Sequence, residues 1–405
     1  MSNQSIQKVR SGLLAVSAYR HLLAQSVPVR FCALLDALVA GEGEKALAAY
    51  TDFFFQLKTE GYMGLGDWLW DAMRFQDSPY GLLCERSGQD AALENVARRD
   101  VEAFQAAAEL DPDALVAQLQ GLLPEYFQAA LAHLPRWSAG LGFDFAKLTQ
   151  SYRDSGCGLF ARYRALRWSE GQLWGIAEPD SPQPWELWGY AQQRQQVRDN
   201  ALALLEGGWV NHVLLYGESG TGKSATVKSL LTQPGMENLR IIEVEKSQLR
   251  DIPTLVRLLD KRPQKFILFI DDLAFDADDK AYSQLKTILE GSLEKRPDNV
   301  VVYATSNRRN LVKQNFSDRS GDEIDRGETI AEKTSLADRF GVRVAYFALT
   351  PTEFWQMVED LAKVYGLQME REKLRHKAEQ WELRHPGRTP RIAKQFIAVE
   401  LERQK

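Results

Sequence analysis

Apolar residues recur at intervals of three and four positions from the start of the chain to about Leu166, and this spacing predicts helices. One such stretch covers residues 31–39 and ends before Gly41, and another covers residues 47–57. The order Asp111-Pro112-Asp113 predicts the cap and first turn of a further helix, because proline is accepted at the first helical position. These patterns predict an all-helical N-terminal domain over residues 1–167.

Aromatic residues are concentrated in this part of the chain. Phe53, Phe54 and Phe55 are consecutive, and Trp68 and Trp70 follow soon after them. Large aromatic side chains usually belong to a core, but such a cluster could also be a surface that binds a partner. No nucleophile–base pair, ligand spacing or fixed-length repeat accompanies it. The sequence of this half therefore indicates no activity of its own.

The helical pattern is interrupted at residues 168–190, where four tryptophans are mixed with three prolines. So much proline argues against a helix. Because the stretch precedes a glycine-rich loop, it could line the pocket for a nucleotide base through residues 187–190, with Tyr190 at its end. The alternative is a linker that packs on the surface. Helical spacing returns at residues 191–205.

A short apolar run at residues 212–216 leads into the glycine-rich loop, and helical spacing follows at residues 225–231. The loop fits G-x-x-x-x-G-K-[ST], a pattern that places backbone N–H groups and a lysine around a phosphate chain. Lys223 would reach the β- and γ-phosphates, and the Ser224 hydroxyl would ligate Mg²⁺. An ordinary glycine turn is the alternative, but the flanking strand and helix favour a phosphate site. The predicted binding residues are Gly217, Glu218, Ser219, Gly220, Thr221, Gly222, Lys223, Ser224 and Ala225.

The most strongly predicted strand, at residues 265–272, ends in the carboxylates Asp271 and Asp272. Asp271 would hold the water shell of a magnesium ion, and Asp272 would polarise the water that attacks a phosphate. The alternative is a strand that ends in two solvated acids. Since the phosphate loop precedes this strand in the chain, we favour the catalytic interpretation.

Two further polar residues follow predicted elements. A strand at residues 299–306 comes after a predicted helix at residues 282–293 and ends in Asn307, whose amide could position the lytic water or merely cap a loop. Residues 334–341 predict a helix start that carries Arg339. Arg339 could reach into a neighbouring subunit and stabilise transition-state charge, or it could form a surface ion pair.

Composition and charge narrow the class of protein. The net charge of −5 gives no support to nucleic-acid binding, which normally needs a basic face. No apolar run is long enough for a membrane span or a signal peptide. Cys32, Cys84 and Cys157 are few and widely spaced, so we expect reduced thiols in a cytoplasmic protein. The five histidines are scattered, and no His/Cys metal site is expected.

The order of phosphate loop, Asp-Asp strand, Asn-ended strand and Asp-Arg-Phe-Gly turn resembles that of the AAA+ ATPases. The chain is more closely similar to a bacterial AAA+ group known as domain of unknown function 815. The stretches that carry this resemblance are residues 211–217, 262–273, 296–300, 303–309 and 316–341.

The resemblance covers the chain from about Pro184 to its end. It implies an α/β P-loop NTPase core with a parallel sheet at residues 191–349, a small helical lid at residues 350–405, and binding of ATP and Mg²⁺. One departure from the wider family is Asp272, because most AAA+ proteins have the longer Glu at that position. Hydrolysis could therefore be slow.

The lid is predicted to contain helices at residues 353–361 and 369–383 and a last helix that opens near Arg391. Arg391 resembles the sensor 2 arginine of the family, which contacts the γ-phosphate in the same subunit. Arg388 is the nearby alternative. A solvated basic patch is the remaining interpretation of both arginines.

These features predict an oligomeric ATPase, arranged as a ring or partial ring, that moves or assembles a protein partner through its helical N-terminal domain. A nucleotide-switched binding module with little turnover is the alternative. A DNA-handling loader is less favoured, because the chain has no basic N-terminal segment and no recognisable helix-turn-helix. Residues 245–251 lack the aromatic-apolar-glycine loop with which many AAA+ unfoldases grip polypeptide, so unfolding is not specifically predicted.

Overall fold

The structure, a computed structural model, describes residues 3–140, 142–260, 262–275, 285–286, 289, 297–308, 311, 336–385 and 387–404. Most of the predicted helix at 282–293, and residues 316–335 of the stretch that carries the family resemblance, lie outside the described residues. The chain divides into two compact units, Met1–Arg162 and Tyr163–Lys405.

The regular elements described in the first unit are all helices, with two additional short 3-10 turns at Arg20–Ala24 and Glu125–Phe127. This confirms the all-helical class predicted for the N-terminal part of the chain. Its helices are α1 (Asn3–Leu14), α2 (Ser26–Ala40), α3 (Gly43–Thr59), α4 (Leu65–Phe75), α5 (Pro79–Glu85), α6 (Ala91–Ala108), α7 (Pro112–Leu122), α8 (Gln128–Ala132), α9 (Phe145–Ser155) and α10 (Leu159–Arg162).

Local sequence explains the limits of these helices. Helix α2 buries Phe31 and Leu38 on one face and ends at Gly41, whose left-handed backbone lets its amide bond back to the last turn. Helix α7 begins at Asp111, which accepts a hydrogen bond from the backbone of Asp113 at 3.0 Å.

The aromatic cluster of this unit belongs mostly to its core. Phe53 and Trp68 are buried, and Phe54 and Trp70 are partly buried against the same core. Phe55 points outward with 69% of its surface exposed. The core interpretation of the cluster therefore holds for four of these five side chains.

The second unit is an α/β structure with a mostly parallel sheet, as predicted. Its strands are β1 (Ala165–Ser169), β2 (Gln172–Ile176), β3 (Val213–Gly217), β4 (Leu239–Val244), β5 (Lys265–Ile270), β6 (Val300–Ser306) and β7 (Val342–Tyr346). Its helices are α11 (Ala191–Leu205), α12 (Lys223–Lys228), α13 (Ile252–Leu259), α14 (Pro351–Val364), α15 (Arg371–Arg384) and α16 (Pro390–Glu402), and 3-10 turns cover Pro184–Glu186, Ser229–Thr232 and Lys246–Asp251.

The seven strands follow the order β2-β1-β4-β5-β6-β3-β7. Every pairing is parallel except that of β1 with β2. Strand β5 is buried from Phe266 to Ile270, which explains its unbroken apolar run. Tyr216 lies opposite Ser306 and Ile270 lies opposite Ala304, so β3, β5 and β6 end at one edge of the sheet. The residues that follow these three strands therefore lie at the same edge of the sheet.

The division between the units differs from the predicted domain boundary at residues 167/168. The last helix of the first unit ends at Arg162, and β1 and β2 form a hairpin that joins the sheet beside β4. The first nine residues of the stretch predicted as a linker, 168–176, therefore belong to this hairpin of the sheet. The prolines that argued against a helix all lie after this hairpin, at residues 179–184.

Helices α14, α15 and α16 form a small cluster at the end of the chain with its own apolar core. Phe354, Leu361 and Phe396 are fully buried in it. Helix α14 starts with a capping box, in which the Thr350 amide donates to Glu353 at 2.8 Å and the Glu353 amide donates back at 3.3 Å. This cluster is the helical lid that was predicted.

Candidate functional site

The glycine-rich loop connects β3 to α12 at the edge where the parallel strands end. Gly217, Gly220 and Gly222 have φ values of 133°, 79° and 94°, which ordinary residues rarely adopt. A side chain at Gly217 would also collide with the backbone of Tyr346, since its Cβ would lie 2.1 Å from that carbonyl oxygen. The backbone geometry of the loop therefore favours glycine at all three positions.

Lys223 is buried and makes three hydrogen bonds. Its ammonium donates to the carbonyl oxygens of Gly217 and Glu218 at 3.0 and 2.6 Å, and to Oδ1 of Asn307 at 3.0 Å. Burial lowers the pKa of Lys223, and the nearby carboxylates of Asp272 and Asp271 oppose this shift. The lysine is thus held at the loop by acceptors that a phosphate group could replace.

Ser224 and Asp271 lie together on the other side of the loop. The Ser224 hydroxyl donates to Oδ1 of Asp271 at 2.6 Å. The same carboxylate oxygen accepts bonds from the Thr305 hydroxyl and from the backbone N–H of Asp272. A hydroxyl and a carboxylate oxygen so close together fit Mg²⁺, which prefers hard oxygen ligands and keeps several of its waters.

Asp272 and Asn307 are joined directly. Nδ2 of Asn307 donates to Oδ1 of Asp272 at 2.8 Å, while Oδ1 of the same amide accepts from Lys223. Asp272 has a left-handed backbone with φ of 50°. The asparagine therefore links the lysine of the loop to the second carboxylate.

The stretch before α11 contributes the opposite wall of the same cleft. Tyr190 has φ of 53°, donates its hydroxyl to the carbonyl oxygen of Phe347 at 2.6 Å, and packs on Tyr346 with ring centroids 4.9 Å apart. Tyr190 contacts both the core of the sheet and the core of the lid. Burial raises the pKa of its hydroxyl.

Of the two lid arginines, Arg388 and Arg391, only Arg391 lines the cleft. The backbone N–H of Arg391 donates to the Gly220 carbonyl oxygen at 3.3 Å, so the start of α16 touches the phosphate loop. Arg388 instead donates to the Leu349 carbonyl oxygen at 2.8 Å and pairs with Glu382 at 3.2 Å. Arg391 is therefore the arginine available to a ligand of the loop.

These residues surround one cleft of about 690 Å³, a volume typical of small-molecule sites. All of the predicted residues from Ser219 to Ala225, with Asp271, Asp272, Asn307, Tyr190 and Arg391, line it. Gly217 and Glu218 lie just outside the lining and contribute carbonyl oxygens to Lys223.

Several polar residues that the sequence did not identify also line the cleft, among them Arg194, Lys394 and Thr305. Arg194, on the first turn of α11, donates to the Gly189 carbonyl oxygen, and burial lowers its pKa. Lys394 donates to the Glu186 carbonyl oxygen at 3.2 Å. Thr305 precedes Asn307 by two positions, and strand alternation would have placed both on one face of β6.

Arg339 lies away from this cleft. Residues 336–338 have helical backbone, and Arg339 follows them in an exposed turn before β7. Tyr346, at the far end of β7, lines the cleft. With a rise of about 3.3 Å per residue, the two ends of this strand are about 13 Å apart. Arg339 is therefore at the opposite edge of the sheet from the phosphate loop of its own chain.

Metal clusters, membrane-spanning helices and disulfides are other features of the described residues that would bear on function. In the described ranges, no three or more His, Cys, Asp or Glu residues are grouped in a way that could hold a metal ion. No helix among the described residues has the length and apolar character needed to cross a membrane. The three cysteines form no disulfide, and Cys84 and Cys157 are buried.

Comparison with known proteins adds the following. No curated protein matches this chain. A solved structure of a Thermotoga maritima RuvB variant with one substitution is 19% identical, with a TM-score of 0.37, over 54% of this chain and 63% of that one. The Thermotoga maritima RuvB Holliday junction branch migration motor is 17% identical, with a TM-score of 0.32, over 55% of this chain and 72% of that one. Scores this low carry no inference about this chain. Residues 161–404 match the family described as Protein of unknown function (DUF815), and the chain belongs to that family.

Proposed function

We propose that this protein is an AAA+ ATPase that binds ATP with Mg²⁺, hydrolyses it at subunit interfaces, and uses the energy to remodel or assemble a protein partner. The observation that carries the proposal is a continuous set of contacts in one cleft. Lys223 bonds to Asn307, Asn307 bonds to Asp272, and the pair Ser224–Asp271 lies beside them. Binding and hydrolysis of a nucleoside triphosphate use each of these groups.

Binding would begin at the loop. The backbone N–H groups between Gly217 and Ser224 would surround the phosphates, and the Lys223 ammonium would exchange two carbonyl oxygens for phosphate oxygens. Mg²⁺, held by Ser224 and through water by Asp271, would neutralise charge on the β- and γ-phosphates. Tyr190 would lie at the base end of the cleft, and Arg391 would contact the γ-phosphate from the lid.

Hydrolysis would depend on Asp272 and Asn307. Asn307 would release Lys223 to the phosphates and orient a water molecule with its amide. As the water oxygen attacks the γ-phosphorus, Asp272 would accept its proton, and the bond to the leaving ADP oxygen would break. The products are ADP and inorganic phosphate.

The transition state would need a further cation. Arg339 is too far from its own phosphate loop, across the sheet, to supply it. A neighbouring copy of the chain could present its Arg339 to this cleft, which would make the active unit a homo-oligomer. The helical unit at Met1–Arg162 would then recruit the protein partner.

One observation favours a second candidate, a slow molecular switch. Asp272 is one methylene shorter than glutamate and is bonded to Asn307 rather than free to meet water. Turnover no faster than about 10⁻⁴ per second, the scale of an unassisted GTPase, would favour the switch over the machine.

Two substitutions test the site. Lys223→Ala should abolish ATP binding while the fold persists, and unchanged affinity in a calorimetric titration would refute the phosphate-loop assignment. Asp272→Asn should keep ATP binding and lose turnover, because Asp271 and Ser224 remain. Phosphate release equal to that of the parent would exclude Asp272 as the catalytic carboxylate.

The proposed assembly has its own test. Arg339→Ala should reduce turnover about 10³-fold or more with little change in ATP affinity. When Arg339→Ala and Lys223→Ala chains are mixed equally, about a quarter of the interfaces would combine an intact cleft with an intact arginine. Activity should reappear in the mixture and rise with total protein concentration. A mixture that stays inactive, although the two variants co-assemble, would show that Arg339 acts within its own chain or is structural.

A further inference from the structure

Thr305 stands near the end of β6, between the two carboxylates of the cleft. It is 2% exposed, and its side chain lines the cleft wall. Its hydroxyl donates to Oδ1 of Asp271 and accepts from the backbone N–H of Asp272 at 2.9 Å. One hydroxyl group therefore contacts both acidic residues, the first through its side chain and the second through its backbone.

The first of these bonds orients the Asp271 carboxylate, and the second holds the backbone of Asp272. The bond to Asp271 fixes the oxygen that also accepts from Ser224, so it sets the direction of the carboxylate toward a metal. The bond from the Asp272 amide holds the left-handed backbone of that residue, with φ of 50°, and the Asp272 side chain lines the cleft. Without it, this part-buried N–H would lose the shorter of its two side-chain acceptors and keep only the 3.1 Å bond to Oδ1 of Asp271.

The neighbouring residue offers a contrast. Ser306 is also fully buried, but its hydroxyl donates to the Leu273 carbonyl oxygen at 2.7 Å and accepts from the Arg308 amide at 3.2 Å. Because successive strand residues point to opposite faces, Ser306 secures the loop behind the cleft and touches neither carboxylate. The Ser306 hydroxyl thus supports the loop, whereas the Thr305 hydroxyl contacts the two acidic residues.

We propose that Thr305 is a positioning residue that aims Asp271 at the metal and Asp272 at the attacking water. This inference rests on the proposed ATP hydrolysis and adds a residue to it. Threonine suits the position because its hydroxyl can donate and accept at once, while its methyl group packs within the strand. Valine keeps that shape and removes both bonds.

The test compares Thr305→Val, Thr305→Ser and the control Ser306→Ala in the full chain. Thr305→Val should lower kcat by about 10- to 100-fold, the usual effect of removing a group that orients a metal ligand. The Mg²⁺ concentration that half-saturates binding of a fluorescent ATP analogue should rise by about tenfold. The KM for ATP at saturating Mg²⁺ should change little, since the phosphate loop is intact.

Thr305→Ser restores the hydroxyl and should restore most of the rate and the Mg²⁺ dependence. Ser306→Ala should lower the melting temperature without moving the Mg²⁺ midpoint. Equal losses in Thr305→Val and Thr305→Ser, or a parental Mg²⁺ midpoint in Thr305→Val, would overturn the inference. If Thr305→Val does not fold, Thr305→Ala compared with Thr305→Ser decides the same question.

The inference can fail separately from the proposed function. A parent that hydrolyses ATP, together with a Thr305→Val variant of parental kcat and Mg²⁺ midpoint, would refute only the role of Thr305. A parent that binds no Mg²⁺–nucleotide would refute the function, and the role of Thr305 with it.

Discussion

Lengthening the side chain of Asp272 by one methylene, in the substitution Asp272→Glu, tests how tightly the cleft holds this carboxylate. Under the proposed function, the AAA+ proteins that the sequence resembles mostly have Glu here, so the change would be expected to raise activity if that pattern alone mattered. The geometry predicts the opposite. Asp272 combines a left-handed backbone with a 2.8 Å bond from Asn307.

The magnitude follows from two contributions. A left-handed backbone costs most residues about 1–2 kcal/mol, and Asp is one of the few that tolerate it because its short side chain bonds locally. An added carbon–carbon bond would carry the Glu carboxylate about 1.5 Å beyond the present position. Since an error of about 1 Å at a reacting group can reduce a rate about a hundredfold, we expect kcat to fall by that order.

The assay is steady-state phosphate release at saturating Mg²⁺–ATP, with nucleotide affinity measured by titration. Asp272→Glu should lose rate but retain ATP affinity, because the hydrogen bond of the Asp272 carboxylate is to Asn307, which lies outside the phosphate loop. Asp272→Asn is the matched control, since it keeps the size and backbone and removes only the basic oxygen. A Glu variant as fast as the parent, or faster, would refute the claim that backbone conformation and Asn307 determine the working position of this carboxylate.

Three further predictions concern other parts of the chain. Burial lowers the pKa of Lys223 in the free cleft, and bound phosphates should raise it. Nucleotide binding should therefore take up a proton and weaken as the pH rises from the pKa of the free cleft to that of the nucleotide complex. Calorimetry in buffers of different ionisation enthalpy measures this proton uptake, and Lys223→Arg should abolish it. Gly217→Ala should abolish nucleotide binding because its Cβ meets the Tyr346 backbone, whereas Gly366→Ala, which also has positive φ but open space, should cost about 1 kcal/mol and leave binding intact in the same titration. Asp100→Ala should destabilise the helical unit by about 2–5 kcal/mol in chemical denaturation, since the buried carboxylate accepts two backbone N–H groups that would lose their partner, and a change below 1 kcal/mol would contradict this.

The residues of the cleft could be predicted from the sequence where a chemical motif directly adjoins a predicted strand or helix. The helix at 191–205 has the limits that its apolar pattern predicted, and the strand predicted at 265–272 is observed at 265–270. Each of these elements is long enough, or sufficiently buried on both faces, for the spacing of its apolar residues and its amino-acid composition to indicate the same secondary structure. The residues that follow such strands then meet at one edge because the strands are parallel.

Other features depend on contacts that no local pattern encodes. The choice between Arg388 and Arg391 is decided by Glu382 and the Leu349 carbonyl oxygen, which are distant in sequence from the loop and engage Arg388. The role of Arg194 depends on the fold of the preceding turn at Gly189. The roles proposed for Asp272, Asn307, Arg339, Arg391 and Tyr190 remain predictions.

The β1–β2 hairpin has a consequence for how the protein can be divided. Strand β1 covers one side of β4, whose residues from Leu239 to Ile242 are buried. A fragment that begins at Tyr163 keeps this cover, whereas one that begins at residue 178 would leave the backbone of β4 as an open, apolar sheet edge. Such an edge recruits other strands, so the shorter fragment should associate irreversibly when concentrated, even though it retains every residue of the cleft.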